Sequence, residues 1–345
     1  MLNVISHGGY YSSGGSVVRD VYKEFDPVFE FPSEFRLLKE RFGLFDLEYA
    51  LLNTGSPEIV DLAIRDFLWL TINFARNATK FSKIGMSYDK KTNEVFMSAT
   101  KDFIEELVDY KYPMDWHFYQ FKKNYFSQIK SKIEKKFFTK NIRTQEGKTS
   151  AFMSFPDQEK YFEASKRYLK NVLDGFRTLN NLDTNSIITL HNAIPPYSTK
   201  FIERGSRYFD QCKVVIVDRD PRDIFLNYPK DSYGRYISTT DSIHKKAQGF
   251  IHFYKSIRKY QDEVRSKSNV LFLRFEDCVI NYDEYLNRLY SFSNLNSDLH
   301  KNKGTIFKPE LSIKNIGMWK DSKGDMLRAI DLIERELTQY LYDIN

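Results

Sequence analysis

The chain has 345 residues, 41% of them hydrophobic and 28% charged, a balance that excludes a disordered chain. A net charge of +6, from 52 Lys and Arg against 46 Asp and Glu, suits an anionic ligand without demanding nucleic acid. The longest apolar runs, such as 214–217, are far too short to span a bilayer, and residues 1–6 lack the basic and apolar regions of a secretory leader.

In chain order, residues 2–6 read as a short buried strand. It runs into a Gly/Ser-rich turn, 7–15, and then a helix from Ser16 to about Phe25. From about 34 to 180 the periodicity is almost wholly helical, with helices predicted over 61–75, 100–110 and 156–179. Strands return at 186–190, 213–217 and 269–274. Helical patterns at 199–208, 221–228, 242–265 and 282–292 separate or follow them, and a last helix covers about 325–342. Strands alternating with helices imply β-α-β crossovers and a parallel sheet. The expected fold is α/β: a central parallel sheet flanked by helices, in one domain over 1–345. Residues 26–185 form a large, mostly helical insertion on the acceptor side of the cleft. Two cysteines, Cys212 and Cys278, make neither a disulfide framework nor a Cys-rich zinc site; they read as reduced core thiols of a cytoplasmic protein.

Open parallel sheets bind ligands at the carboxyl ends of their strands, so the residues just past each strand are the candidates. After the first strand, Gly9, Gly14 and Ser16 keep the spacing of a phosphate-binding loop, but Gly15 stands where the lysine should be. Such glycines let backbone N–H groups wrap an anion; the plain alternative is a turn with Ser16 as a helix N-cap. After 213–217 comes Arg219, whose planar fork can grip a phosphate, followed by Pro221 at a favoured helix-starting position and by the amide of Asn227. The alternative there is a surface salt bridge among Asp218, Arg219, Asp220, Arg222 and Asp223. His191 ends the strand at 186–190 and could take a proton near neutral pH; His7, His117, His244, His252 and His300 are weaker candidates. Phe275, Glu276 and Asp277 end the strand at 269–274 and could border an adenine.

Together these sites resemble the PAPS-dependent sulfotransferase family. Residues 10–16 correspond to its Gly/Ser/Thr loop, Arg219-Asp220-Pro221-Arg222-Asp223 to its Arg-x-Pro segment, and Phe275-Glu276-Asp277 to its Tyr-Glu-Asp. Ile316-Gly317-Met318-Trp319-Lys320 is similar to its Val-Gly-Asp-Trp-Lys, and His191 falls where the family carries a general base. The resemblance covers 1–25 and about 186–321. Ser12 or Ser13 stands where the family has a basic loop residue, Asn227 replaces a serine, Ser312-Ile313-Lys314 replaces Arg-Lys-Gly, and Phe275 replaces tyrosine.

The resemblance implies a P-loop NTPase-like sulfotransferase fold and in-line transfer of a sulfuryl group from PAPS, with PAP as product, no metal, and a hydroxyl acceptor that is most often a saccharide. It assigns catalysis to His191 with Ser12 and Ser13. It assigns nucleotide binding to Tyr11, Ser12, Ser13, Gly14, Gly15, Ser16, Arg219, Asn227 and Phe275, with Lys314, Lys320 or Arg19 supplying further charge. Two other readings stay open: a P-loop-type phosphotransferase, and a non-catalytic relative that binds a nucleotide or a glycan. The lysine-rich stretch 122–143 is a solvated helix face or a platform for an anionic acceptor or the inner face of a membrane. No nucleic-acid partner is expected, and the oligomeric state stays open.

Overall fold

The computed structural model describes residues 3–78, 85–113, 116, 150–184, 186–227 and 242–343. His117 and the stretch 122–143 lie outside the described residues. The chain divides into two compact units, Met1–Lys39 with Asn181–Asn345, and Glu40–Asn180.

The first unit holds a five-stranded sheet in the order β2-β5-β1-β6-β7, with every pairing parallel. Its strands are β1 (Asn3–Gly9), β2 (Val28–Glu30), β5 (Ile187–His191), β6 (Gln211–Asp218) and β7 (Val270–Arg274). β1 and β6 are buried along almost their whole length, which is why they read as continuous Val/Ile runs rather than alternating ones. Within the stretch expected to be a mostly helical insertion, Val28–Glu30 pairs with Ile187–Thr189 as an edge strand. Three residues are too short a run for a period-2 pattern to show.

Helix α1 (Ser16–Tyr22) follows β1 and buries Val17, Val18, Val21 and Tyr22 in one apolar cluster with Val215, Val217, Leu273 and Phe275. The second unit contains α2 (Leu44–Asn53), α3 (Pro57–Ala75), α4 (Tyr88–Lys91), α5 (Phe96–Leu107), the antiparallel pair β3 (Tyr110–Tyr112) and β4 (Ala151–Met153), and α6 (Gln158–Leu179). That antiparallel pair interrupts what the sequence predicts as almost wholly helical. It is tied by buried Asp61, which accepts from the Phe152 N–H at 2.8 Å. Aromatic rings fill this unit's core, with Phe103 stacked on Tyr168 at 4.8 Å.

Back in the first unit, α7 (Thr199–Ser206) and α8 (Pro221–Asn227) flank β6. The helix predicted over 242–265 is two helices, α9 (Ile243–Ile257) and α10 (Gln261–Arg265). The break turns Arg258 inward, to 2% exposure, onto the buried Asp218 carboxylate at 2.6 Å. After β7 come α11 (Phe275–Ile280), α12 (Tyr282–Ser293), the short α13 (Pro309–Ser312) and α14 (Asp325–Glu336). The last predicted helix stops at Glu336, where a 3₁₀ turn, Thr338–Tyr340, follows and then extended chain that lets the Tyr342 N–H donate to Asp220. No described helix is long and apolar enough to cross a membrane.

Candidate active site

Three strands of the sheet, β1, β5 and β6, end side by side, and their carboxyl ends open on a cleft of about 490 Å³. Gly9, Tyr11, Ser12, Ser13, Gly14, Gly15 and Ser16 line it from the first loop, His191 and Asn192 from the end of β5, and Arg219 and Asn227 from the end of β6 and from α8. Residues more than 200 positions apart thus share one surface, and most of the predicted site residues are among them.

The loop 10–15 keeps its shape through close approach. Ser13 is 2% exposed and donates its hydroxyl to the Val217 carbonyl at 2.6 Å, fastening the loop to the end of β6. The Ser13 side chain is thereby committed to the loop's shape, and Ser12 is the loop serine that is more open to the cleft. Gly14 has φ +86, and a Cβ there would stand 2.6 Å from the Phe275 ring. Gly15, rather than Ser16, is the N-cap of α1, and no side chain caps the helix's first turn. Tyr10 anchors the near end: it is fully buried, donates its hydroxyl to the Pro196 carbonyl at 3.1 Å, and lies 4.3 Å from the Arg258 guanidinium. Tyr11 stacks on Tyr197 with ring centres 6.0 Å apart.

The second rim is built from charges. The acids of 218–223 are buried and each has its own donors, which corrects the reading of a surface salt bridge. Asp218 is held by Arg258 and by the Gln261 amide at 3.2 Å. Asp220 accepts the Arg222 fork at 3.0 and 2.7 Å. Asp223 accepts the N–H groups of Gly317 at 2.8 Å and Trp319 at 3.4 Å. Burial raises the Asp223 carboxyl above its usual range.

Arg219 stands apart from these pairs. It is 6% exposed, its guanidinium lies 4.7 Å over the Phe275 ring, and it donates to the Asn315 carbonyl. Its Nε is buried with no hydrogen-bond partner among the described residues. Burial pulls its proton affinity below that of an ordinary guanidinium, against the pull of Asp223, Glu276 and Asp220. A desolvated cation with an unmet donor at the wall of a cleft can take an anion.

His191 faces the cleft from the end of β5. Burial and the neighbouring His7 push it down from 6.5 to about 4, so the ring is neutral at pH 7 with a lone pair available. Asn227 lines the cleft while its amide donates to the Asp223 carbonyl at 3.3 Å.

Four predicted residues stand elsewhere. Phe275 is buried behind the loop, beneath Arg219 and against Gly14, and does not line the cleft. Lys314 and Lys320 are exposed and outside the lining. Arg19 pairs with its neighbour Asp20 at 3.0 Å. Two residues of the site escape sequence reasoning. Asn192 lines the cleft with φ +53, and Asn315 meets Arg219 through its backbone, which no side-chain motif records. For Asn192 the signal was present, since asparagine is among the few residues that adopt that conformation readily.

No family model and no curated protein matches the chain. Among solved structures, it is similar to a sulfotransferase domain from the curacin biosynthetic pathway, at 12% identity and a TM-score of 0.46, covering 100% of this chain and 99% of that one. It is also similar to the sulfotransferase STF9 from Mycobacterium avium, at 11% identity and 0.37, covering 99% and 77%. A third is mouse sulfotransferase SULT7A1 complexed with PAP, at 13% identity and 0.31, covering 48% and 70%. All three are sulfotransferases. At identities this low, what this cleft does has to be argued from its own residues.

Proposed function

We propose that the chain is a PAPS-dependent sulfotransferase that passes a sulfuryl group to a hydroxyl, with a saccharide as the acceptor class. The observation that carries this reading is the meeting of the uncharged glycine loop, Arg219 and His191 on one cleft. The pieces fit a doubly phosphorylated adenosine. A loop whose glycines leave no room for side chains suits close backbone contact with one phosphate group, and the buried Arg219, with its unmet Nε, suits a second. Two buried, unpaired cysteines suit a reducing compartment such as the cytoplasm.

In this reading the loop backbone from Ser12 to Ser16 holds the 5′-phosphosulfate, and Arg219, with Asn227 beside it, holds the 3′-phosphate. PAPS supplies an electrophilic sulfur, to which the acceptor oxygen bonds as the sulfur–oxygen bond to the 5′-phosphate breaks. His191, neutral at pH 7, takes the proton that the acceptor hydroxyl gives up. As in phosphoryl transfer, most of the work is positioning and stabilising charge on peripheral and leaving oxygens.

One observation favours a second reading, a non-catalytic nucleotide binder: among the described residues, Arg219 is the only Lys or Arg that lines the cleft. Calorimetry with PAP, PAPS, ATP and GTP tests the first step. Binding of PAP should weaken about 10–100-fold in Arg219→Ala, the loss of one charged hydrogen-bonding group at about 1.5–3 kcal/mol. Binding of ATP but not PAP would sink the proposal. Transfer of labelled sulfate to a saccharide, lost in His191→Ala while PAP binding persists, separates enzyme from binder.

A further inference from the structure

We propose that His7, held in the sheet by Glu30, positions His191: it fixes the plane of the His191 ring at the cleft and sets how readily that ring takes a proton. This rests on the reading of His191 as the proton acceptor in transfer.

β1 and β5 are in register so that His7 stands directly opposite His191. Their rings are stacked, with centres 5.2 Å apart and planes 17° from parallel. Among the described residues, the His191 ring has no hydrogen bond to either nitrogen, so the stack is what orients it. His7 itself is 1% exposed and donates its Nε2–H to Glu30 Oε2 at 2.9 Å. Among the described residues its Nδ1 is buried with no hydrogen-bond partner, which leaves Glu30 as the hydrogen-bonding anchor of the His7 side chain. Glu30 is fixed in turn by the Thr189 hydroxyl, which donates to the same oxygen from the neighbouring strand. A chain of contacts therefore runs from the edge strand β2 through β1 to the ring that faces the cleft.

Electrostatics runs along the same chain. The charged and titratable groups that act on His191 are His7 on β1, Glu30 on β2, Glu34 in the segment after β2, and Arg19 on α1. Burial, His7 and Arg19 disfavour the protonated ring, while Glu30 and Glu34 favour it. Burial above all keeps the ring neutral in the resting protein, and His7 adds to it. The two carboxylates compensate the positive charge that develops when His191 takes a proton.

The test is an NMR titration of His191 in the full-length protein with labelled histidine, in His7→Phe and in Glu30→Gln. His7→Phe keeps an aromatic ring in the stack and removes the second imidazole. The His191 midpoint should then rise from about 4 toward the ordinary value of 6.5. Glu30→Gln removes a charge that favours protonation, so the midpoint should fall below about 4. Opposite movements support the proposal; an unmoved midpoint, or movement of both in one direction, overturns it. If His7→Phe does not fold, the fall in Glu30→Gln decides alone. The titration needs no donor or acceptor. A wild type that binds no PAP therefore fails the sulfotransferase reading while leaving this coupling to stand or fall by itself. In an active protein the acid limb of kcat/KM should move with the midpoint, which loss of packing alone would not produce.

Discussion

The two rims of the cleft are held by different means. The loop 10–15 carries no charged side chain and is held by neutral hydroxyls and close fit: Ser13 donates to the Val217 carbonyl, Tyr10 donates to the Pro196 carbonyl, and Gly14 packs against Phe275. The turn 218–223 carries five charged residues, all buried, and is held by ion pairs and by backbone N–H groups from distant segments. A loop that wraps an anion through its backbone, as proposed, has no room for bulk. A rim that must hold one desolvated guanidinium needs its neighbouring acids occupied, so that Arg219 is not drawn into a pair of its own. The two rims also share supports. Phe275 backs both Gly14 and Arg219, and Arg258 touches both Tyr10 and Asp218.

The largest effect should come from breaking the charged rim at Arg258. This residue is 2% exposed, sits 3.5 Å from the Tyr254 ring, and is the strongest partner of a fully buried Asp218. Arg258→Ala takes the nearest cation from that carboxylate, leaving Arg274 at 4.0 Å, and should cost about 3–5 kcal/mol, read as a lower midpoint in urea unfolding. Adding Asp218→Asn removes the under-compensated charge and should recover part of the loss. If the double variant is no more stable than the single one, charge is not what holds this rim.

The contrast between the rims also explains what could be read in advance. Buried strands such as 213–217 and the spacing of Gly9, Gly14 and Ser16 are local patterns; the sheet is parallel, as the strands alternating with helices imply, and the loop with this spacing lines the cleft. The sequence also singled out Arg219, but not what frees it for a ligand. Its neighbours Asp218, Asp220 and Asp223 are matched by Arg258, by Arg222 with Tyr342, and by Gly317, and each of these three sets has a partner across a long stretch of chain. Charge pairing at such separation leaves no periodicity. Lys314 and Lys320 were expected at the cleft for their charge alone. The structure uses that segment through its backbone instead, at Asn315, Gly317 and Trp319. The edge strand Val28–Glu30 and the role of His7 were hidden for a related reason: a three-residue strand has no pattern, and a stacked pair of histidines is visible only once β1 and β5 are in register.

The uncharged rim should break more gently in stability and more sharply in binding. Gly14 adopts φ +86, and a methyl group there would meet the Phe275 ring at 2.6 Å, against a side chain packed in the core. Gly14→Ala therefore strains the backbone and displaces the ring on which Arg219 also rests, at a cost of about 1–3 kcal/mol. That is less than Arg258→Ala in urea unfolding, because no charge is left buried. The effect on PAP should nonetheless be large, since a shifted loop misaims several N–H groups at once and moves the support of the guanidinium. Calorimetry on the folded variant should show PAP affinity reduced at least about tenfold, the equivalent of ~1.4 kcal/mol. Undiminished affinity in a folded Gly14→Ala would mean that the loop's tight fit serves the fold and not the ligand, and the cleft would then have to hold its anion from the Arg219 side alone.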